Sequence, residues 1–480
     1  MNTAPSQAKF ADLKLSPDLL RNLESLGFTT MTPIQAQSLP LILAGKDVIG
    51  QAKTGSGKTA AFGLGLLAGL QGKKFSVQGL VLCPTRELAD QVANALRELA
   101  RTVPNIKVLT LTGGTPFGPQ AASLDHGAHI VVGTPGRVDD HLRKGTLRFE
   151  ALTTLVLDEA DRMLEMGFQK ELDAIVAAAP TERQTLLFSA TFADEIQAVA
   201  ARIMRDPQRV TAAETHDAAT IEQHFYIASS EAERLTALRL LLLEHRPQAT
   251  LVFCNTKDET RELAAALREH GFSALAIHGD LEQADRDRTL LRFANNSVAV
   301  LVATDVAARG LDIAELDAVV NYQLAGEAEV HVHRIGRTGR AGSTGMAFSL
   351  YGEHERYKVD RLERALGISI AAEELPPASL LAKTPAKPAM ATLQIDGGKK
   401  QKLRPGDILG ALTGEHGIAA HQVGKINIFD NQSYVAVDIN AVSAALKKLG
   451  QGKLKGRSFR ARRVEGQPEN SRRLARRRGR

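Results

Sequence analysis

At 480 residues the chain exceeds what one hydrophobic core usually supports, so about two to four domains are expected, and its 44% hydrophobic and 24% charged content excludes a largely disordered protein. The net charge of +6 is unevenly spread: residues 447–480 hold fourteen Lys or Arg against Glu465 and Glu469, a net of +12, which leaves −6 on the preceding 446 residues. A basic end on a mildly acidic body points to a polyanion partner, the alternative being a solvated tail without one.

The first residues, Met1 to Lys14, lack the apolar core of a signal peptide. The longest uncharged apolar run, 60–70, is too short to span a bilayer. Cys83 and Cys254 each close an apolar run far apart in the sequence, which suits buried thiols in a reducing compartment better than a disulfide or metal framework. A cytoplasmic α/β protein is expected, without a membrane partner.

From about residue 30 to 350, short β-branched or Leu-rich runs alternate with longer helical patterns, the rhythm of β-α units in parallel sheets. Strands are expected at 47–50, 80–83, 108–111, 130–132, 155–157 and 186–188, and a second series at 251–254, 275–277, 298–302, 318–321 and 346–350. Residues 205–220 between them show no strand pattern and read as an interlobe linker. These readings give a first lobe over 1–210 and a second over 221–368. Pro376, Pro377, Pro385 and Pro388 mark 369–391 as a semi-rigid connector. Residues 392–464 are long enough for a small domain with the order strand, helix (406–413), strand (425–429), strand (434–437), helix (441–449), strand (458–464). The remainder, 465–480, is an Arg-rich tail.

Three stretches carry chemistry. Ala52, Lys53, Thr54, Gly55, Ser56, Gly57, Lys58 and Thr59 follow a short strand and precede a helical run, the context of a phosphate loop. Its backbone N–H groups can turn toward phosphate oxygens, Lys58 can reach the β- and γ-phosphates, and the Thr59 hydroxyl can ligate Mg²⁺. Ala52 stands where the generic pattern has Gly. Next, a buried strand delivers Asp158 and Glu159 at its carboxyl end, where open α/β folds bind ligands. Asp158 would hold the metal through water, and Glu159 would act as general base on the attacking water. Finally, Arg334, Arg337 and Arg340 recur every third residue among glycines, a spacing suited to bidentate phosphate contacts; Arg337 and Arg340 are the candidates for transition-state charge stabilisation. His331 and His333 alternate nearby, but no further His or Cys at ligand spacing supports a metal there.

Together with Asp158-Glu159-Ala160-Asp161 and Ser189-Ala190-Thr191, these stretches resemble a DEAD-box RNA helicase over about residues 10 to 350. The resemblance implies two tandem RecA-like lobes, ATP and Mg²⁺ as cofactors, and local duplex unwinding by cleft closure without translocation. It implies adenine recognition by Phe10, Phe28 and Gln35, an amide offering both a donor and an acceptor, and places Gly310 and Asp312 at the ATP ribose. It assigns RNA-backbone contacts to Arg86, Gly114, Thr134 and Arg137 in the first lobe and to Gln283, Arg286 and Thr304 in the second. On their own, Arg86 and Arg137 could equally be capping or ion-pair residues.

The segments Arg404-Pro405-Gly406-Asp407-Ile408-Leu409-Gly410-Ala411-Leu412, Val423-Gly424-Lys425-Ile426, Tyr434-Val435-Ala436-Val437 and Lys453-Leu454-Lys455-Gly456-Arg457 resemble the C-terminal domain of DbpA-type helicases. That implies a small α+β RNA-recognition-like domain docking on a hairpin of 23S-type ribosomal RNA beside a duplex, in a monomer working on the pre-ribosomal large subunit. With Tyr434 the only aromatic on the expected third strand, phosphate and groove contacts by Lys453, Lys455 and Arg457 are expected to outweigh base stacking. The competing readings are a general RNA chaperone without ribosomal preference, a low-turnover ATP-dependent RNA clamp and a DNA-directed helicase.

Overall fold

The computed structural model describes residues 8–52, 55–192, 194–211, 221–308, 316–339 and 344–466. Lys53, Thr54, Gly310, Asp312, Arg340 and the tail from 467 lie outside them. The described residues divide into two compact units, one over 8–211 and the other over 221–466.

The first unit is a seven-stranded sheet built from β1 (Val48–Gln51), β2 (Gly79–Leu82), β3 (Val108–Leu111), β4 (Ile130–Gly133), β5 (Thr154–Asp158), β6 (Gln184–Ser189) and β7 (Gln208–Thr211), in the order β3-β4-β2-β5-β6-β1-β7. Every pairing is parallel. The loops that follow the strands therefore gather along one edge. Helices cover both faces, which is why the central strands read as continuous apolar runs. Ile130 and Val132 point into one core and Val131 into the other.

In the second unit, β8 (Ile221–Ile227), β9 (Thr250–Cys254), β10 (Ala274–Ile277), β11 (Val300–Thr304), β12 (Ala318–Asn321) and β13 (Gly345–Tyr351) form a parallel sheet in the order β10-β11-β9-β12-β13-β8. Two of its helices start on side-chain caps: Ser230 and Glu233 close a capping box on Glu231–His245, and Thr256 and Glu259 do so on Lys257–Glu269. The four strands β14 (Met390–Ile395), β15 (Val423–Ile428), β16 (Ser433–Asp438) and β17 (Ala461–Arg463) make a separate antiparallel sheet in the order β15-β16-β14-β17. With helices Pro405–Thr413 and Val442–Gln451 on it, this is the expected βαββαβ domain.

One expectation changes and one is extended. The segment read as linker from 205 contains β7, which pairs parallel with β1 from Val48↔Gln208 to Gln51↔Thr211. An edge strand with only Val210 buried leaves no apolar alternation to read. The connector 369–391, expected to be semi-rigid, is also part of the second lobe's packing. The Glu373 N–H donates to the Phe225 carbonyl, Glu373 accepts from His224 at 2.9 Å, and Leu380 is buried in the second lobe's core. The small domain then begins against the end of helix Gln283–Ala294, where the Ser297 and Thr392 hydroxyls are 2.7 Å apart and Asn295 donates to Thr392.

Candidate functional site

In the first unit β1 ends at Gln51 and helix Lys58–Gly69 begins seven positions later, with Gly55 and Gly57 at φ 87° and 92° reversing the chain. Gly57 is demanded twice over. Its φ is left-handed, and a Cβ there would lie 2.4 Å from Gln35 Nε2. The loop is tied down from helix Pro33–Leu43: the Thr32 hydroxyl donates to the Ser56 carbonyl at 2.8 Å and Gln35 Nε2 to the Gly57 carbonyl at 3.1 Å, while Gln35 Oε1 accepts from Thr32 N–H. On the other side, Ala52 N–H donates to the Ser189 carbonyl. Gln35 thus bonds the phosphate loop itself, a role its motif did not announce.

Lys58 Nζ lies 4.0 Å from Asp158 Oδ1, and both side chains are buried. Neither atom has a hydrogen-bond partner among the described residues. Burial pushes the Asp158 carboxyl up to about 6 against the pull of Lys58, with Glu159 adding to the rise. A buried ammonium and a buried carboxylate oxygen without partners are what a metal-bound polyphosphate would satisfy, so the donor set fits ATP with Mg²⁺.

Glu159, next in the chain, sits at φ 53°, in the left-handed region, at the turn from β5 into helix Ala160–Glu165. That conformation is uncommon for a residue with a Cβ and marks a point where surrounding structure overrides local preference. Asp161 explains the link to the Ser189-Ala190-Thr191 stretch. It accepts from Ala190 N–H at 3.2 Å, Thr191 N–H at 3.1 Å and the Thr191 hydroxyl at 3.1 Å. Burial, the largest single influence, would raise its pKa, but the Thr191 N–H bond, the Ser189 side chain and the charges of Arg162 and Lys58 together hold it below the usual carboxylate range.

Phe10 is 2% exposed and meets Phe28 edge to face at 5.9 Å. Its ring belongs to the core, and Phe28 is the half-buried member of the pair with surface to offer.

Arg86 opens helix Arg86–Leu99 after β2, Gly114 lies on the loop after β3, and Thr134 and Arg137 stand at the start of helix Pro135–Arg143 after β4, along the same sheet edge. The Arg86 guanidinium packs on Gly113 and Gly114 so closely that a Cβ on Gly114 would be 2.0 Å from Nη1. Arg137 donates to the Thr115 carbonyl at 3.0 Å and to Gln120 Oε1 at 2.7 Å. Gln120, which the sequence did not single out, is the hub: its amide also donates to the Thr112 carbonyl and its Oε1 meets His141 Nε2 at 3.2 Å. Burial first and then Arg137 push the His141 imidazole down to about 4, so it stays neutral. The only sequence signal for Gln120 is its place six residues after Gly114.

In the second unit, Gln283 opens its helix and donates to Asp287 at 2.7 Å, Arg286 donates to the Ala307 carbonyl at 2.9 Å, and Thr304 ends β11 with its hydroxyl accepting from Ala307 N–H. Arg286 and Thr304 meet through Ala307 at the end of β11. Arg334, the first of the arginine series, is 2% exposed, pairs with both Asp305 oxygens at 2.7 Å and donates to the Gln323 carbonyl. It is an internal brace. Arg337 is half-buried just past helix Ala328–Ile335. His331 is buried against Gln223, with burial pushing it down to about 4. In the small domain Lys453 and Arg457 are exposed about a tight turn, whereas Lys455 pairs with Asp407 at 3.2 Å.

A phosphate loop and an acidic pair on one parallel sheet, a second parallel sheet with an arginine series, and a small basic α+β domain define an ATP-driven nucleic-acid remodelling enzyme. The sequence matches the DEAD/DEAH box helicase family over residues 32–199, the helicase conserved C-terminal domain over 233–342 and the DbpA RNA binding domain over 392–463. It is 54% identical to the ATP-dependent RNA helicase DbpA of Escherichia coli over 93% of this chain and 97% of that protein. It is 45% identical to the DEAD-box ATP-dependent RNA helicase CshA of Geobacillus kaustophilus over 74% of this chain and 76% of that one. Among solved structures, S. cerevisiae Dbp5 bound to RNA and ADP BeF3 aligns with TM-score 0.69 and 30% identity, covering 76% of this chain and 95% of that one. Mss116p bound to ssRNA and AMP-PNP aligns with TM-score 0.70 and 26% identity over 85% of each chain. The chain belongs to the DEAD-box ATP-dependent RNA helicases, in their DbpA-like subgroup. It is an RNA-binding ATP hydrolase, and no helix among its described residues is long and apolar enough to cross a membrane.

Proposed function

We propose that this helicase couples ATP hydrolysis to the clamping and local opening of large-subunit ribosomal RNA, working as a cytoplasmic monomer in ribosome assembly. The observation that carries the catalytic part is the buried ion pair of Lys58 Nζ and Asp158 Oδ1 beside Glu159, in which neither atom has a hydrogen-bond partner among the described residues. Lys58 and the N–H groups of 52–59 bind the phosphates, and Phe28 and Gln35 meet the adenine. Glu159 takes the proton of the attacking water, and Asp161 keeps Ser189-Ala190-Thr191 in step with the acidic strand end. The Thr59 hydroxyl and, through water, Asp158 would hold Mg²⁺, whose charge would offset that of the phosphate oxygens. Arg337 and Arg340 stabilise the charge that builds on the transferring phosphoryl group, an effect worth roughly 10³ to 10⁵ in rate in other phosphoryl-transfer enzymes. Asp312, after Gly310, holds the ribose.

RNA backbone is gripped by Arg86, Gly114, Thr134 and Arg137 on one lobe and by Gln283, Arg286 and Thr304 on the other. ATP and RNA each favour the closed arrangement and so each favours the other's binding. The small domain supplies the address through Lys453, Lys455 and Arg457 on a 23S-type hairpin, with the pre-ribosomal large subunit as its setting. Its support is the match of 392–463 to the DbpA RNA binding domain and the charge of the chain end.

The test is ATPase rate across ribosomal RNA, an unrelated duplex and DNA. Strong stimulation by ribosomal RNA alone is expected, with turnover lost in Lys58→Ala and in Glu159→Gln, the latter still forming an ATP–RNA complex. Equal turnover with and without RNA would refute the coupling. Equal stimulation by every RNA would leave a general RNA chaperone, and stimulation by DNA would favour a DNA-directed enzyme.

A further inference from the structure

Where the small domain meets the second lobe, a cavity of about 390 Å³ opens between helix Gln283–Ala294 and the turn that joins β15 to β16. Its volume falls among those of small-ligand sites, about 300–1,000 Å³. We propose that it binds a single unpaired, amino-bearing nucleobase of the RNA held by the enzyme, stacked on Phe429. The inference rests on the RNA-helicase reading and gives it a base-reading element.

Phe429 is 43% exposed at the cavity, an unusual outlay of aromatic surface for a chain with only 4% aromatic residues. Its ring is set edge to face against Tyr434 at 5.7 Å and 86°, and the Tyr434 hydroxyl donates to Gln432 Oε1 at 2.7 Å. An exposed ring braced from behind is a stacking platform. The platform is rigid. Lys399 N–H donates to the Phe429 carbonyl at 2.8 Å, Lys400 N–H to the Asp430 carbonyl at 2.9 Å, and Phe429 N–H to the Gln432 carbonyl at 2.8 Å. Gly398 permits this closeness, since a Cβ there would lie 2.1 Å from the Phe429 carbonyl oxygen.

The polar lining selects among bases. Asp287 on the helix and Asp430 on the turn present carboxylates, and Asn431 beside them presents an amide. Carboxylates only accept, so a base with an exocyclic amine is favoured over uracil, which has none. Arg288 and Lys399 bring compensating positive charge for the adjoining phosphate, and Arg288 Nε is buried without a hydrogen-bond partner among the described residues. The location fits as well: Asp287 accepts from Gln283, one helical turn away, which is proposed to touch the RNA backbone.

The test uses the full chain with an ATP analogue and three labelled RNAs of about twelve nucleotides, within the usual site sizes for single strands: oligoadenylate, oligouridylate and an abasic backbone. Wild type should bind oligoadenylate best. Phe429→Ala and Phe429→Leu should each weaken oligoadenylate about tenfold, the cost of one base stack, with the abasic backbone unaffected. Arg288→Ala, from the opposite wall, should weaken oligoadenylate too, and Asp430→Asn should narrow the preference over oligouridylate. Equal loss on all three RNAs, no loss, or no effect of Arg288→Ala would overturn the proposal. If millimolar AMP erases the Phe429 difference, the ligand is a free nucleotide and the proposal also falls. RNA-stimulated ATP hydrolysis measured alongside reports the helicase reading separately, so the pocket fails alone if stimulation persists and the Phe429 difference is missing.

Discussion

Lys58 and Asp158 share a dry corner, and burial leaves the Asp158 carboxyl titrating at about 6 where an exposed one would titrate near 3.8. The sign follows directly. Metal-nucleotide binding favours the carboxylate, so the site loses protons when it is filled and affinity rises with pH between about 5 and 7. Calorimetric titration of Mg·ADP at pH 6 in two buffers of different ionisation enthalpy should show net proton release, absent in Asp158→Asn. At the same scale, Gln120 holds Arg137 against the Thr112 turn. Gln120→Ala should raise the RNA concentration for half-maximal ATPase roughly threefold to tenfold, the worth of one or two hydrogen bonds, while maximal turnover stays near wild type. Lys58, Asp158 and Glu159 were legible because each sits in a short local pattern beside a strand. Gln120 was not, because its importance comes from four groups brought together by folding.

Among the elements, the fully buried strands were readable, and two half-exposed edge strands were not. Strands 130–132 and 318–321 fall on β4 and β12, in which every residue is buried, since two buried faces force an unbroken apolar run. β7 buries only Val210, and β8 opens with the half-exposed run Ile221 to His224, so neither stood out from loop. The connector was read as semi-rigid, and folding adds its packing. Its prolines do mark an irregular backbone, yet Leu380 is 6% exposed against helix Glu231–His245 and the segment is part of the second lobe's packing. Leu380→Ala should therefore destabilise the second lobe by about 2–4 kcal/mol, as for other buried leucines. Urea unfolding should report the loss, and a free spacer would show none.

For the whole molecule, a general ATP-driven RNA clamp is joined to a small basic domain whose first strand bonds to the second lobe through Thr392. Deleting 392–480 should leave ATPase activity at high RNA concentration but remove the preference for ribosomal fragments over unrelated duplex; an unchanged preference would show that the address lies elsewhere. The sequence by itself determined the order of domains, the two parallel sheets, the nucleotide chemistry and the charge asymmetry, because these follow from local patterns and composition. Only the tertiary structure decided that Lys58 and Asp158 form a buried ion pair without hydrogen-bond partners among the described residues, that Arg334 braces from within, that Gln35 and Asp161 bind neighbouring motifs together, and that a cavity forms beside Phe429. Each of these depends on distances between residues far apart in the chain, and burial and partnership are properties of such distances.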